Sequence, residues 1–158
     1  MTLRTRYQGA IVRDDHLLLI KHREHASGRA YWIIPGGGRD GDESEEECVR
    51  REMKEETHLD VSVERLLLDD SIENNTAYRN AKTYLCRVMG GEAKPGYEPE
   101  IEASQYYGIV EVRWFDLRHP ETWDALVFSD SIMFPLMQRI QKALGYAVVE
   151  EEKGTIQH

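Results

Sequence analysis

The sequence predicts a single α/β sandwich: a mixed sheet with one helix on each side. Three observations predict it. Residues 16–21 (HLLLIK) carry four consecutive aliphatic side chains, Leu17 to Ile20, and a strand that is apolar on both faces must be covered on both. Residues 43–57 contain neither Gly nor Pro and are dominated by Glu, Arg, Lys and Met, so local propensity supports one uninterrupted helix of about four turns. Ile132, Leu136, Ile140 and Leu144 recur every four residues with Met133 and Met137 beside them, the apolar stripe of a second helix over residues 128–144. The chain has 158 residues, enough for one core that buries roughly two thirds of the unfolded surface and too few for a second.

In chain order, residues 7–12 and 16–21 are strand candidates separated by the charged turn Arg13, Asp14 and Asp15, which reads as a hairpin. His22, Arg23, Glu24 and His25 then lead to a loop with Ser27, Gly28 and Arg29. Two histidines without a third close partner read as ordinary loop residues rather than metal ligands. The basic Lys21, Arg23 and Arg29 suit contact with a bound anion, Arg23 foremost. The apolar strand at 32–34 runs into Pro35 and three glycines. Beyond the first helix, residues 61–68 and 78–89 form an antiparallel strand pair around a polar connection tipped by Asn74, Asn75 and Thr76.

Residues 90–104 (GGEAKPGYEPEIEAS) are the longest irregular stretch and carry Glu92, Glu98, Glu100 and Glu102; loops of this length in a compact domain are often functional. Residues 109–115 alternate apolar and polar, a strand whose Trp114 belongs to the core rather than to a base-stacking platform. In the closing helix Pro135 marks a kink or a later start, and Gly145 ends it. Residues 146–149 add an edge strand or pack on a partner, and residues 150–158 are a frayed polar tail beyond a domain spanning 1–149.

The net charge of −9 argues against a general nucleic-acid or membrane-surface binder, because phosphate backbones repel a surface without a basic stripe. Cys48 and Cys86 form neither a CxxC pair nor a disulfide framework. The N-terminal stretch lacks a long apolar core and no window approaches about 18 apolar residues. A cytoplasmic protein is the expectation.

The chemistry concentrates in residues 36–59, GGGRDGDESEEECVRREMKEETHL. Asp40, Asp42 and Glu43 stand at or before the first helical turn, where the exposed amides and the helix dipole favour negative charge. At roughly 100° per residue, Glu52, Glu55 and Glu56 converge on one side of the helix. Such carboxylates repel one another unless a cation lies between them, and an all-oxygen ligand set selects magnesium, or manganese, over zinc. The same composition also describes a solvated helix face.

Written as a pattern, the stretch has Gly37, five residues, Glu43, seven residues, then Arg51, Glu52, Met53, one residue, Glu55, Glu56, one residue, His58 and Leu59. This resembles the Nudix box, the signature of the Nudix hydrolases, at every fixed position but one: the box has glycine where this chain has His58. The resemblance implies a magnesium-dependent hydrolase with a Nudix-type α/β/α sandwich. Its substrate would be a nucleoside diphosphate linked to another group, such as ADP-ribose or another nucleotide sugar, or a nucleoside triphosphate. It further implies Glu52 and Glu56 as the leading metal ligands, Glu55 acting directly or through water, the Gly37 carbonyl as a further ligand, and Arg51 bracing the site through Glu43. Family members often add a glutamate from a loop outside the box as metal ligand or general base, for which Glu100 stands ahead of Glu98 and Glu102. A homodimer is common in the family. The box glycine ends the helix at positive φ, so His58 implies a strain of order 1 kcal/mol. The rival reading, a nucleotide-sensing module that does not cleave, is disfavoured by the intact carboxylate set.

Overall fold

The computed structural model describes residues 4–73, 77–97 and 106–150. Its sheet runs β3-β2-β1-β6-β5, with β1 at Thr5–Arg13, β2 at His16–Glu24, β3 at Ala30–Ile33, β5 at Asp60–Ser71 and β6 at Asn80–Gly90. The two-residue β4, Gly36–Gly37, pairs with β1, and β7, Tyr107–Asp116, pairs with β2. β1 and β6 are parallel and the other pairs antiparallel, so the sheet is mixed, as the sequence predicts.

The first hairpin turns through Asp14 and Asp15, at φ 51° and 65°. This left-handed geometry matches the twist of paired strands, and a short Asp side chain tolerates it. β1 and β2 pair only at Val12↔Leu17 and Arg13↔His16. Beyond that point they part: β3 takes the edge of β2 from Ile20↔Ile33 to Arg23↔Ala30, while β4 takes the edge of β1 at Tyr7↔Gly37 and Gln8↔Gly36. The glycine turn is thereby stitched into the opening of the sheet.

Helix α1 is Glu45–Thr57, the short α2 is Ala125–Phe128 and α3 is Met133–Leu144. Ser44 caps α1: its hydroxyl accepts from Glu47 N at 3.1 Å while the Glu47 carboxylate accepts from Ser44 N at 2.7 Å, a reciprocal capping box. Pro135 falls in the first turn of α3, where its missing N–H is no loss. Asp130 Oδ1 accepts from Ile132 N and Met133 N at 2.8 and 2.9 Å. Pro135 therefore marks a later start rather than a kink, and Gly145, at φ 85°, ends the helix.

Two apolar layers flank the sheet. On one side Cys48, Val49 and Met53 of α1 pack on Ile11, Leu18, Val61 and Cys86. On the other, Leu136, Met137 and Ile140 of α3 pack on Leu17, Leu19, Trp32 and Phe115. Consecutive leucines of β2 thus enter opposite cores, which is why that run is apolar throughout. Trp114 is half-buried against the α1 core, with the Arg13 guanidinium 4.5 Å from its ring centre.

Two expectations need correction. β2 continues to Glu24, so His22 is a buried strand residue rather than a loop residue. Its ring stacks on Tyr107 at 4.5 Å, and burial, then the nearby Arg6 charge, lowers its pKa to about 4. Residues 146–149 form no edge strand, although Ala147 and Val148 remain exposed. They fold back on α3, where Gln141 Oε1 accepts from Val149 N and Gln138 Nε2 donates to Val149 O, both at 2.9 Å. These side-chain amides satisfy the backbone that a neighbouring strand would otherwise pair. Asn74, Asn75, Thr76 and residues 151–158 lie outside the described residues. No described helix is long and apolar enough to cross a membrane.

Candidate active site

The site is built where the glycine turn meets α1. Glu52 and Glu56 are each 1% exposed, because positions i and i+4 share the helix face that packs towards the sheet. Glu56 Oε1 accepts from Gly36 N at 3.2 Å. The Glu52 carboxylate lies directly against Gly37, where a Cβ would come within 2.7 Å of Glu52 Cδ. Gly37 has no positive φ, so glycine is required here by close approach rather than by backbone conformation.

Arg51 organises the electrostatics. Its Nη2 and Nε donate to Glu43 at 2.6 and 3.0 Å, and Nη2 also donates to Gly38 O at 3.1 Å. Nη1 donates to Glu52 Oε2 at 3.1 Å and to Glu55 Oε2 at 3.2 Å. One guanidinium therefore ties the loop to the helix and faces four carboxylates, Asp40, Glu43, Glu52 and Glu55, which leaves the group net negative. Arg51 holds the Glu43 carboxyl below the usual range. For Glu55 the balance runs the other way: burial raises its pKa against the pull of Arg51.

Among the described residues no three His, Cys, Asp or Glu side chains form a ready-made metal cage. Three features nonetheless suit a hard divalent cation. The donors are all oxygens; Glu52 Oε1 is buried with no hydrogen-bond partner among the described residues; and Gly37 leaves its backbone open to the Glu52 carboxylate. A buried carboxylate oxygen without a partner is costly unless something binds it.

The other sequence candidates fall elsewhere. Glu98, Glu100 and Glu102 lie outside the described residues. Arg23 is exposed on β2, and strand alternation gives it the same face as Leu17, Leu19 and Lys21, opposite α1. Of the basic residues around that loop, Arg29 lines a cavity of about 540 Å³ with Tyr31, Ile33, Asp130 and Ile132, while no α1 residue does. Two features escaped sequence reasoning. The capping box is signalled by Ser44 and Glu47 three residues apart. The docking of residues 91–97 onto α1 uses backbone groups and leaves no sequence signal.

Comparison with known proteins agrees with this architecture. The NUDIX domain model matches residues 3–133. The chain is 32% identical over 100 residues to putative nudix hydrolase 1 of Caenorhabditis elegans, covering 63% of this chain but only 27% of that protein. Among solved structures, an ADP-ribose pyrophosphatase from Streptococcus suis 89-1591 superposes with TM-score 0.63 at 26% identity, covering 91% of each chain. A MutT NUDIX hydrolase from Burkholderia pseudomallei gives TM-score 0.55 at 32% identity, over 74% of this chain and 85% of that one. With its glycine turn, acidic helix and mixed sheet in the matching order, the chain belongs to the NUDIX domain family.

Proposed function

We propose that the protein is a magnesium-dependent pyrophosphohydrolase, with manganese able to substitute, acting on a nucleoside diphosphate linked to another moiety. One observation carries the reading: the buried Glu52 and Glu56 carboxylates converge on the Gly36–Gly37 turn. Burying two carboxylates against a backbone turn serves stability poorly, whereas it suits a site that must hold cations.

In this reading Glu52 and Glu56 hold the metal, with Glu55 alongside and the Gly37 carbonyl as a further oxygen. When bound, the ion neutralises pyrophosphate charge and acidifies a coordinated water. Arg51 fixes the Glu52 carboxylate through Nη1 and anchors the loop through Glu43 and Gly38 O. The half-buried Glu55, whose pKa burial raises, borders this group. For the proton acceptor the sequence offers Glu100 ahead of Glu98. The likeness to ADP-ribose pyrophosphatase of S. suis makes ADP-ribose the first substrate to try.

The test is hydrolysis, with magnesium, of ADP-ribose, nucleotide sugars, dinucleotides, nucleoside triphosphates and inorganic pyrophosphate, read by chromatographic separation of the nucleoside monophosphate formed, and as phosphate for inorganic pyrophosphate. Cleavage of at least one nucleotide is expected. In the same assay Glu100→Gln should remove the acidic limb of the pH–rate profile, where a proton-accepting carboxylate is lost as pH falls, and Glu98→Gln should not. Binding of nucleotides without any cleavage would favour the sensing module instead.

A further inference from the structure

The C-terminal end of α1 has no loose carbonyl. A helix leaves the carbonyls of its last turn without intrahelical partners, yet here each is bonded. Lys54 O accepts from His58 N at 3.0 Å, Thr57 O from Lys94 N at 3.0 Å, Glu56 O from Gly96 N at 2.9 Å and Glu55 O from Tyr97 N at 3.1 Å. Three of these donors come from residues 91–97, which lie directly on the helix end. A Cβ on Gly96 would collide with the Glu55 carbonyl oxygen. Glu56 is therefore held twice, its carboxylate by Gly36 N and its carbonyl by Gly96 N.

His58 stands at this junction. It takes the left-handed conformation, φ 67° and ψ 8°, and from there its Nε2 reaches Pro95 O at 3.2 Å. A carbonyl only accepts, so the ring is the donor. Glycine would make the same turn with less strain and would leave Pro95 untied. The side chain thus adds a link that the backbone turn does not need.

We propose that His58 is a positioning residue. It ties residues 91–97 to the end of α1 and so holds the turn that carries Glu55 and Glu56. This departure from the box makes the helix end a clamp rather than a simple cap. The proposal rests on the reading of Glu55 and Glu56 as part of an ion site, and its structural half is testable without that reading.

The experiment compares His58→Gly and His58→Gln with the wild type, by amide hydrogen exchange on the free protein and by steady-state kinetics. Gln Nε2 lies as many bonds from the backbone as His Nε2 and preserves the donor. In His58→Gly, exchange at Lys94, Gly96 and Tyr97 should quicken about tenfold while the middle of α1 is unchanged. Its kcat should fall about fivefold with KM steady, although thermal stability is equal or higher. His58→Gln should recover both protection and kcat. Wild-type exchange in His58→Gly overturns the clamp; faster exchange with wild-type kcat overturns the link to the site; and a His58→Gln protein that behaves like His58→Gly overturns the role of the side-chain donor. If no nucleotide is cleaved by the wild type, the hydrolase reading fails, and exchange still decides the clamp.

Discussion

Replacing Glu56 by glutamine should lower kcat about a hundredfold or more while leaving the protein folded. A hundredfold corresponds to about 2.7 kcal/mol of transition-state stabilisation, far above the few tenths that a surface glutamate contributes to a helix. The substitution is conservative where structure is concerned. Glu56 Oε1 accepts from Gly36 N, and the glutamine carbonyl oxygen can accept the same bond. What disappears is one negative charge in a site that is 1% exposed. Removing a buried charge tends to stabilise a fold, so the melting temperature should hold or rise while turnover collapses. An unchanged kcat would remove Glu56 from ion binding.

Gly37→Ala should produce a loss of similar kind from the opposite side of the site. The added Cβ would stand 2.7 Å from Glu52 Cδ and 2.8 Å from Oε1, so the carboxylate must leave its place or the turn must shift. A swing of a side-chain end costs little stability but moves a proposed ligand by an ångström or more, which is worth about a hundredfold in rate. Gly41→Ala is the control. Gly41 has φ 51° with open space around its Cα, so alanine there strains the backbone by about 1 kcal/mol without touching Glu52. Stability should fall in the control and activity in Gly37→Ala; the reverse pattern would place the ligand turn elsewhere.

Much of this architecture was legible in the residues. The four aliphatics of β2 required two covered faces, and the structure sends Leu18 to one core and Leu17 and Leu19 to the other. The spacing of Glu52 and Glu56 gave a shared helix face, but not its burial against Gly36 and Gly37, because that depends on how β4 joins β1 after the sheet opens. His22 read as a loop residue since polar neighbours hide the end of a strand; its burial follows from packing against Tyr31 and Tyr107. The docking of residues 91–97 on α1 was invisible for a simpler reason: backbone N–H groups are donors in almost any sequence. His58 stood out as a departure from the box, yet only the position of Pro95 shows what its ring can hold.

The central claim is that the α1 carboxylates bind a divalent cation at the glycine turn. Manganese titration followed by the electron paramagnetic resonance of the free ion tests it directly, on wild type and on the Glu52→Gln/Glu56→Gln double variant. The wild type should remove free-ion signal saturably, and magnesium should restore it by competition. The double variant should leave the signal nearly intact while keeping its fold by circular dichroism. Equal binding by the two proteins would contradict the account.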